Sequence, residues 1–214
     1  MLLKEIYSEY DYNIEITGVQ TDSRFVKPGN LFLPIRGKNF EGDEFFIDAI
    51  TKGAVAIVYD KAIHNLTIPV IIVDNLEKEL FRLIDLIYEK PYNELTMIGV
   101  TGTDGKTSVS TLTSYLLNHL SRCANIGTNG IIYDKEIIDN VFTTPILTQN
   151  YSLLREFSNL GISYVSMEVS SQGIANKRIE GILYDYAIFT NLSHEHLDCL
   201  LYTSDAADEA RSVD

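Results

Sequence analysis

Over the first ninety positions the apolar residues fall into two different periods. Short runs rich in β-branched residues, Ile14-Glu15-Ile16-Thr17, Leu31 to Ile35, Val55 to Tyr59 and Val70 to Val73, predict strands. Between the second and third runs, Asp43 to Lys52 carries Phe46, Ile47 and Ile50 at helical spacing. Asn75 is placed to cap a longer helix, on which Leu76, Leu80, Leu83, Ile84 and Ile87 share one side. Pro91 follows closely and cannot continue a helix, so Pro91-Tyr92-Asn93-Glu94 reads as a linker.

A second pattern opens at Leu95. Thr96 to Thr101 predicts a strand that runs into a glycine-rich loop, and a helix follows to roughly Leu117. Tyr164 to Val169 and Tyr184 to Thr190 predict further strands. A helix from Gln149 to Leu160 precedes the first of them, with Tyr151, Leu154 and Phe157 on one face. Strands alternating with helices imply an α/β fold with a mainly parallel sheet. Such sheets bind ligands beyond the carboxyl ends of their strands, where the informative polar residues should lie.

Composition changes this picture only by exclusion. The 214 residues suit one large domain or two small ones. A formal net charge of −13 argues against a non-specific nucleic-acid binder, which needs clustered Lys and Arg. Cys123 and Cys199 make neither a disulfide framework nor a Cys-x-x-Cys pair. No apolar run approaches the roughly 18 residues of a membrane span. The acidic residues near the start do not suit a signal peptide, so a cytoplasmic protein without membrane partners is expected.

The loop Gly99-Val100-Thr101-Gly102-Thr103-Asp104-Gly105-Lys106-Thr107 carries the clearest chemistry. Gly102 and Gly105 let the backbone turn sharply and approach an anion without a Cβ in the way. Backbone N–H groups from Thr103 to Ser108 then face the phosphates at the start of the helix. Lys106 supplies positive charge, and the Thr107 hydroxyl can ligate Mg²⁺. One departure from the common phosphate-loop pattern is Val100, which stands where that pattern has its first glycine.

Further segments stand in order along the chain. Thr21-Asp22-Ser23-Arg24 precedes Lys27-Pro28-Gly29-Asn30-Leu31-Phe32, and Thr143-Thr144-Pro145 precedes Met167-Glu168-Val169-Ser170-Ser171-Gln172-Gly173 and Arg178; Asn191-Leu192-Ser193-His194-Glu195-His196-Leu197-Asp198 comes last. By themselves several of these allow plainer readings. Asp22-Ser23-Arg24 can be a turn with a surface ion pair, and Thr143-Thr144-Pro145 can cap the helix that follows. Glu168, between apolar Met167 and Val169 at a strand end, either faces Mg²⁺ or turns to solvent.

Taken together, the ordered set resembles the Mur ligase family, and within it the tripeptide synthetases of peptidoglycan synthesis. The resemblance covers about residues 15 to 198, with Asp104 in place of the family's usual Asn and Gln172 in place of its usual His. It implies a UDP-substrate domain over 1–90 and an incomplete ATP-binding central domain over 91–198. The implied activity is ATP-dependent addition of lysine or diaminopimelate to UDP-MurNAc-L-Ala-D-Glu through an acyl phosphate. ATP and Mg²⁺ are the implied cofactors, and a monomer is expected. Ser23, Lys38, Asn39 and Phe40 are carried over as contacts to the UDP part. Thr143, Thr144, Ser170, Asn176 and Arg178 are carried over as contacts to the muramoyl-dipeptide. Lys106, Glu168 and His196 are the implied catalytic groups, with Thr107, Glu168 and His196 as metal ligands. After Asp198 the family's pattern stops, and no lysine follows Lys177. Residues 199–214 are therefore expected to be a tail foreign to the family, and the chain a truncated form that binds without turnover.

Overall fold

The computed structural model describes residues 1–35 and 45–193. The chain divides into two compact units, the first running from Met1 to Glu89 and the second beginning at Lys90.

In the first unit, helix α1 (Leu3–Ile6) precedes strands β1 (Gly18–Gln20) and β2 (Asn30–Phe32); helix α2 (Phe46–Thr51), strands β3 (Ala56–Tyr59) and β4 (Val70–Ile72) and helix α3 (Leu76–Tyr88) follow. The four strands form a sheet in the order β1-β2-β3-β4, and every pair is parallel. Phe32, Phe46, Ala49, Ala54, Ile57 and Tyr59 make its core, where the rings of Phe46 and Tyr59 meet edge to face at 5.2 Å.

Two expectations are corrected here. The strand expected at residues 14–17 lies instead at Gly18–Gln20, and Glu15 keeps only an isolated bridge to Leu2. Parallel pairing with β2 sets this register, and the Tyr88 hydroxyl accepts from the Val19 N–H at 3.1 Å and donates to its carbonyl at 3.3 Å. In α2 the buried residues are Phe46 and Ala49, whereas Ile47 is 66% exposed. A six-residue helix shows the core little more than one turn, so only part of the apolar spacing is used.

Helix α3 starts as expected. The Asn75 side chain accepts from the Lys78 N–H at 2.8 Å, and Leu80, Leu83, Ile84 and Tyr88 are buried. Asn75→Ala should cost the first unit about 1 kcal/mol, because an orphan N–H at the helix start loses its acceptor. A denaturant midpoint unmoved by this change would show that the cap contributes nothing. Glu89 and Lys90 end the helix in the left-handed region. Pro91–Glu94, expected as a linker, is a 3-10 turn whose Pro91 and Tyr92 are buried in the second unit. Tyr92 packs edge to face on Tyr151 there, so the segment belongs to a core.

The second unit contains strand β5 (Thr96–Thr101), helix α4 (Lys106–Leu117), strands β6 (Cys123–Gly127), β7 (Gly130–Tyr133) and β8 (Glu136–Ile138), helix α5 (Leu147–Asn159), strand β9 (Tyr164–Glu168), helix α6 (Ser171–Ala175) and strand β10 (Tyr186–Phe189). Its strand order is β10-β5-β9-β6-β7-β8. The first four strands are parallel, and β7 and β8 extend the sheet antiparallel. The fold is therefore α/β with mainly parallel sheets, as the alternation predicts. The β6-β7-β8 meander is an addition that turns at Thr128-Asn129 and at Asp134-Lys135, where Asp134 has the positive φ that a tight hairpin turn uses. Among the described residues, no helix is long and apolar enough to cross a membrane.

Helix α4 reverses the usual amphipathic arrangement. Ser110 and Ser114 are buried against the sheet, while Leu112, Tyr115 and Leu116 are each more than half exposed. Small serines let the helix sit close, and the Ser166 hydroxyl donates to the Ser110 carbonyl at 3.0 Å. This close seat fixes the start of α4 against the ends of the parallel strands.

Candidate functional site

The carboxyl ends of β5, β9, β6 and β10 lie at one edge of the sheet in the second unit, because these four strands run parallel side by side. Each delivers a polar group there. From β5 the chain enters the glycine loop, where Gly102 and Gly105 have φ of +133° and +82°. Both values lie in the region that favours glycine. A Cβ on Gly102 would also fall 2.2 Å from the Thr190 hydroxyl. Gly105 is the N-cap of α4 and gives no side-chain cap, so the first-turn N–H groups lack intrahelical acceptors. That arrangement suits an anion. Lys106 folds its ammonium onto the loop, donating to the Gly102 carbonyl at 2.7 Å and the Thr103 carbonyl at 2.8 Å.

The end of β10 holds the loop from the other side. Asn191 accepts from the Asp104 N–H at 2.9 Å through its side chain and from the Thr103 N–H at 3.0 Å through its carbonyl. The Thr190 hydroxyl donates to the Asp104 carbonyl at 2.6 Å, and the Ser193 N–H donates to the Thr103 hydroxyl at 3.0 Å. The loop shape is thus set by a strand about ninety residues away in sequence. Thr190 and Asn191 were not singled out as site residues, although their place at the end of a predicted strand was a usable signal.

Glu168 ends β9 with 1% of its surface exposed, which rules out the solvent-facing reading. Its Oε2 accepts from the Thr107 hydroxyl at 2.8 Å and from the Thr128 hydroxyl at 3.3 Å, and its Oε1 accepts from the Thr128 N–H at 2.9 Å. Gly127 gives this carboxylate its room, since a Cβ there would lie 2.0 Å from Oε1. A cavity of about 450 Å³, lined in part by Thr107, Ser108 and Asn129, opens along the first turns of α4.

Thr143 and Thr144 do not cap α5, whose N-cap is Ile146. The Thr143 hydroxyl meets that of Thr128 at 3.0 Å. Thr144 is fully buried, where its hydroxyl accepts from the Ser170 N–H at 2.9 Å and lies 2.9 Å from the Glu168 carbonyl. The segment that by itself could also have been a helix cap therefore ties itself to the end of β9. Ser170 caps α6 by accepting from the Gly173 N–H at 3.0 Å. Arg178 donates to the Thr144 carbonyl at 2.9 Å and lies over the Phe142 ring at 4.2 Å. Partial burial pulls its guanidinium below the usual arginine range. Asn176 is exposed and donates to the Gln172 carbonyl at 2.8 Å. Asn150, fully buried and not anticipated, joins these segments by donating to the carbonyls of Pro145 and Arg178.

In the first unit, Ser23 is buried at the start of a 3-10 turn, Ser23–Phe25. The Lys52 ammonium and, after it, the Ser23 hydroxyl hold the Asp48 carboxyl below its ordinary range. Arg24 makes a two-pronged ion pair with Asp22, with a shortest contact of 2.6 Å. Burial pushes the Asp22 carboxyl up, and the hydrogen bonds from Arg24 more than reverse this, leaving it below the ordinary range. Lys38, Asn39, Phe40 and His196 lie outside the described residues.

Residues 15–84 match the Mur ligase family catalytic domain, and residues 100–210 match the Mur ligase middle domain. A UDP-N-acetylmuramoyl-L-alanyl-D-glutamate–2,6-diaminopimelate ligase of Haemophilus influenzae (strain PittGG) is 37% identical over 89% of this chain and 41% of its own length. UDP-N-acetylmuramyl-tripeptide synthetase 2 of Oceanobacillus iheyensis is 41% identical over 86% of this chain and 38% of its own. A solved diaminopimelate ligase superposes with a TM-score of 0.64 at 25% identity, covering 92% of this chain and 41% of the other. A MurF ligase from Thermotoga maritima superposes at 0.55 with 23% identity over 86% of this chain and 39% of its own, a likeness of fold. The chain spans about 40% of the length of the curated relatives it matches. With a family model over half of its residues and the family's segments in order, the chain belongs to the Mur ligase family.

Proposed function

We propose that this chain is the UDP-substrate- and nucleotide-binding portion of an ATP-dependent ligase of peptidoglycan synthesis. The reaction is addition of lysine or meso-diaminopimelate to UDP-MurNAc-L-Ala-D-Glu. The observation that carries the reading is the meeting, at one sheet edge, of an uncapped helix start with Lys106 and the half-buried Thr107 bonded to the buried Glu168. The family's members are ATP-dependent ligases, and the relatives' names give the substrate.

A carboxylate is a poor electrophile. In this reading one oxygen of the D-glutamate γ-carboxylate forms a bond to the γ-phosphorus of ATP while the bond to the β-phosphate oxygen breaks. ADP leaves, and an acyl phosphate remains. The amine then attacks the acyl carbon, inorganic phosphate departs, and the amine loses its proton. The N–H groups at the start of α4, rather than those of Thr103 and Asp104, which are bonded to Asn191, gather the phosphates with Lys106 and screen two anions brought together. Thr143, Ser170, Asn176 and Arg178 hold the muramoyl-dipeptide, whereas Thr144, expected to share this role, is fully buried with its hydroxyl bonded to the end of β9 and stands behind them. Ser23 holds the UDP portion, and Lys38, Asn39 and Phe40 are assigned the same role.

Mg²⁺ fits the residues present. Thr107 and Glu168 offer hard oxygen donors side by side, the set for an ion that keeps water and phosphate oxygens in its shell. Among the described residues, no group of three His, Cys, Asp or Glu side chains could hold a metal by itself. When bound, the ion would supply charge neutralisation on the phosphates. His196 is assigned a second metal.

A second reading is that these 214 residues by themselves bind both ligands without turnover. One assay separates the two: phosphate release with ATP, Mg²⁺, UDP-MurNAc-L-Ala-D-Glu and each amino acid, run beside calorimetric binding of MgADP and of the UDP substrate. Binding without phosphate release establishes the second reading. Failure to bind either ligand overturns both.

A further inference from the structure

Thr128 was not anticipated by the sequence, yet it touches both halves of the site. It follows β6 in the Gly127–Gly130 turn, which the antiparallel pairing of those two glycines fixes. Of the hydrogen bonds that reach the Glu168 carboxylate among the described residues, its N–H makes one and its hydroxyl another. The same hydroxyl is 3.0 Å from that of Thr143.

A hydroxyl carries one proton, and a carboxylate only accepts. While Thr128 bonds to Glu168, its proton is committed to Oε2, so the proton between the two threonines must come from Thr143. Thr143 then has no proton left to offer a ligand. If Oε2 is taken up in cation binding, Thr128 can turn its proton to the Thr143 oxygen. Thr143 is then free to donate outward, which is what an anionic group on the substrate needs. The Thr128 N–H meanwhile keeps Oε1 in place and leaves Oε2 facing Thr107.

We propose that Thr128 is a positioning residue that relays cation occupancy at Glu168 to the hydrogen-bond polarity of Thr143, so that cation and carboxylate-bearing substrate strengthen each other's binding. The proposal rests on the Mg²⁺ and muramoyl-dipeptide assignments above. It goes beyond them in making the two sites interdependent through one side chain.

The test is calorimetric titration of UDP-MurNAc-L-Ala-D-Glu into the full chain with MgADP and with ADP in chelator. The wild type should bind the substrate about tenfold more tightly with Mg²⁺, the scale of an ordinary coupling between sites. Thr128→Val keeps the shape and the N–H but removes the relaying hydroxyl, and should lose that difference while retaining substrate binding in chelator. Thr128→Ser should keep the difference, which a role in shape alone does not predict. Thr143→Val, which removes the other end of the relay, should lose it as Thr128→Val does. An undiminished Mg²⁺ effect in Thr128→Val shows that the ion acts by general screening and overturns the relay. Absence of substrate binding in the wild type overturns the functional reading itself.

Discussion

Gly127→Ala should abolish Mg²⁺-dependent nucleotide binding while leaving the first unit unchanged. The added Cβ would lie 2.0 Å from Glu168 Oε1 and 2.7 Å from its Cδ. Real Cβ atoms do not come so close, and Glu168 is too buried to step aside into water. The side chain must leave the position in which Thr107 and Thr128 hold it, at a cost of roughly 1–3 kcal/mol to the second unit. Two companion variants separate packing from chemistry. Glu168→Gln keeps the volume and removes the charge, so it should lose the Mg²⁺ dependence with little of the packing cost. Gly127→Ala combined with Glu168→Ala should recover stability relative to Gly127→Ala, because the clash disappears; neighbours in contact are not additive. Calorimetry with ADP across a Mg²⁺ series and a denaturant midpoint read the two effects. Undiminished Mg²⁺-dependent binding in Gly127→Ala would remove Glu168 from the site.

The second large effect is expected from Lys106→Ala. In this structure the ammonium donates to the Gly102 and Thr103 carbonyls, so it waits at the rim of the loop. A hydrogen bond from a charged donor to phosphate is worth about 1.5–3 kcal/mol, which converts to a ~10–150-fold loss of ATP affinity. Acyl-phosphate formation, where the longer enzyme carries it out, should fall below detection because the charge acts on the transferring group. UDP binding should stay within twofold, since Ser23 and the residues around it belong to the other compact unit. Loss of UDP and ATP binding together, in a variant that still folds, would count against separate sites.

Much of this was legible in residue order. The glycine loop names an anion site because Gly102, Gly105 and Lys106 have few other uses at that spacing, and their backbone angles agree. Asn75 announced the start of α3 because capping is a contact between residues three apart. Strand β1 was misplaced because alternation at residues 14–17 is a local pattern. Its true position depends on pairing with β2 and on Tyr88, 69 residues away from Val19. Thr143-Thr144-Pro145 was ambiguous for the same reason. Nothing in the tripeptide distinguishes a cap from a strut to β9, and only the Ser170 N–H at 2.9 Å decides it.

By itself, then, the sequence determined the α/β alternation, the phosphate loop and the family, because these depend on residues close together or on motifs in fixed order. Tertiary structure decided that Glu168 is buried rather than solvent-facing, that Thr190 and Asn191 shape the loop, and that Thr128 stands between Glu168 and Thr143. The physical reason is that parallel strands gather their carboxyl ends at one edge whatever their separation along the chain. Side chains and backbone groups 40 to 90 residues apart thereby come within one hydrogen bond of each other.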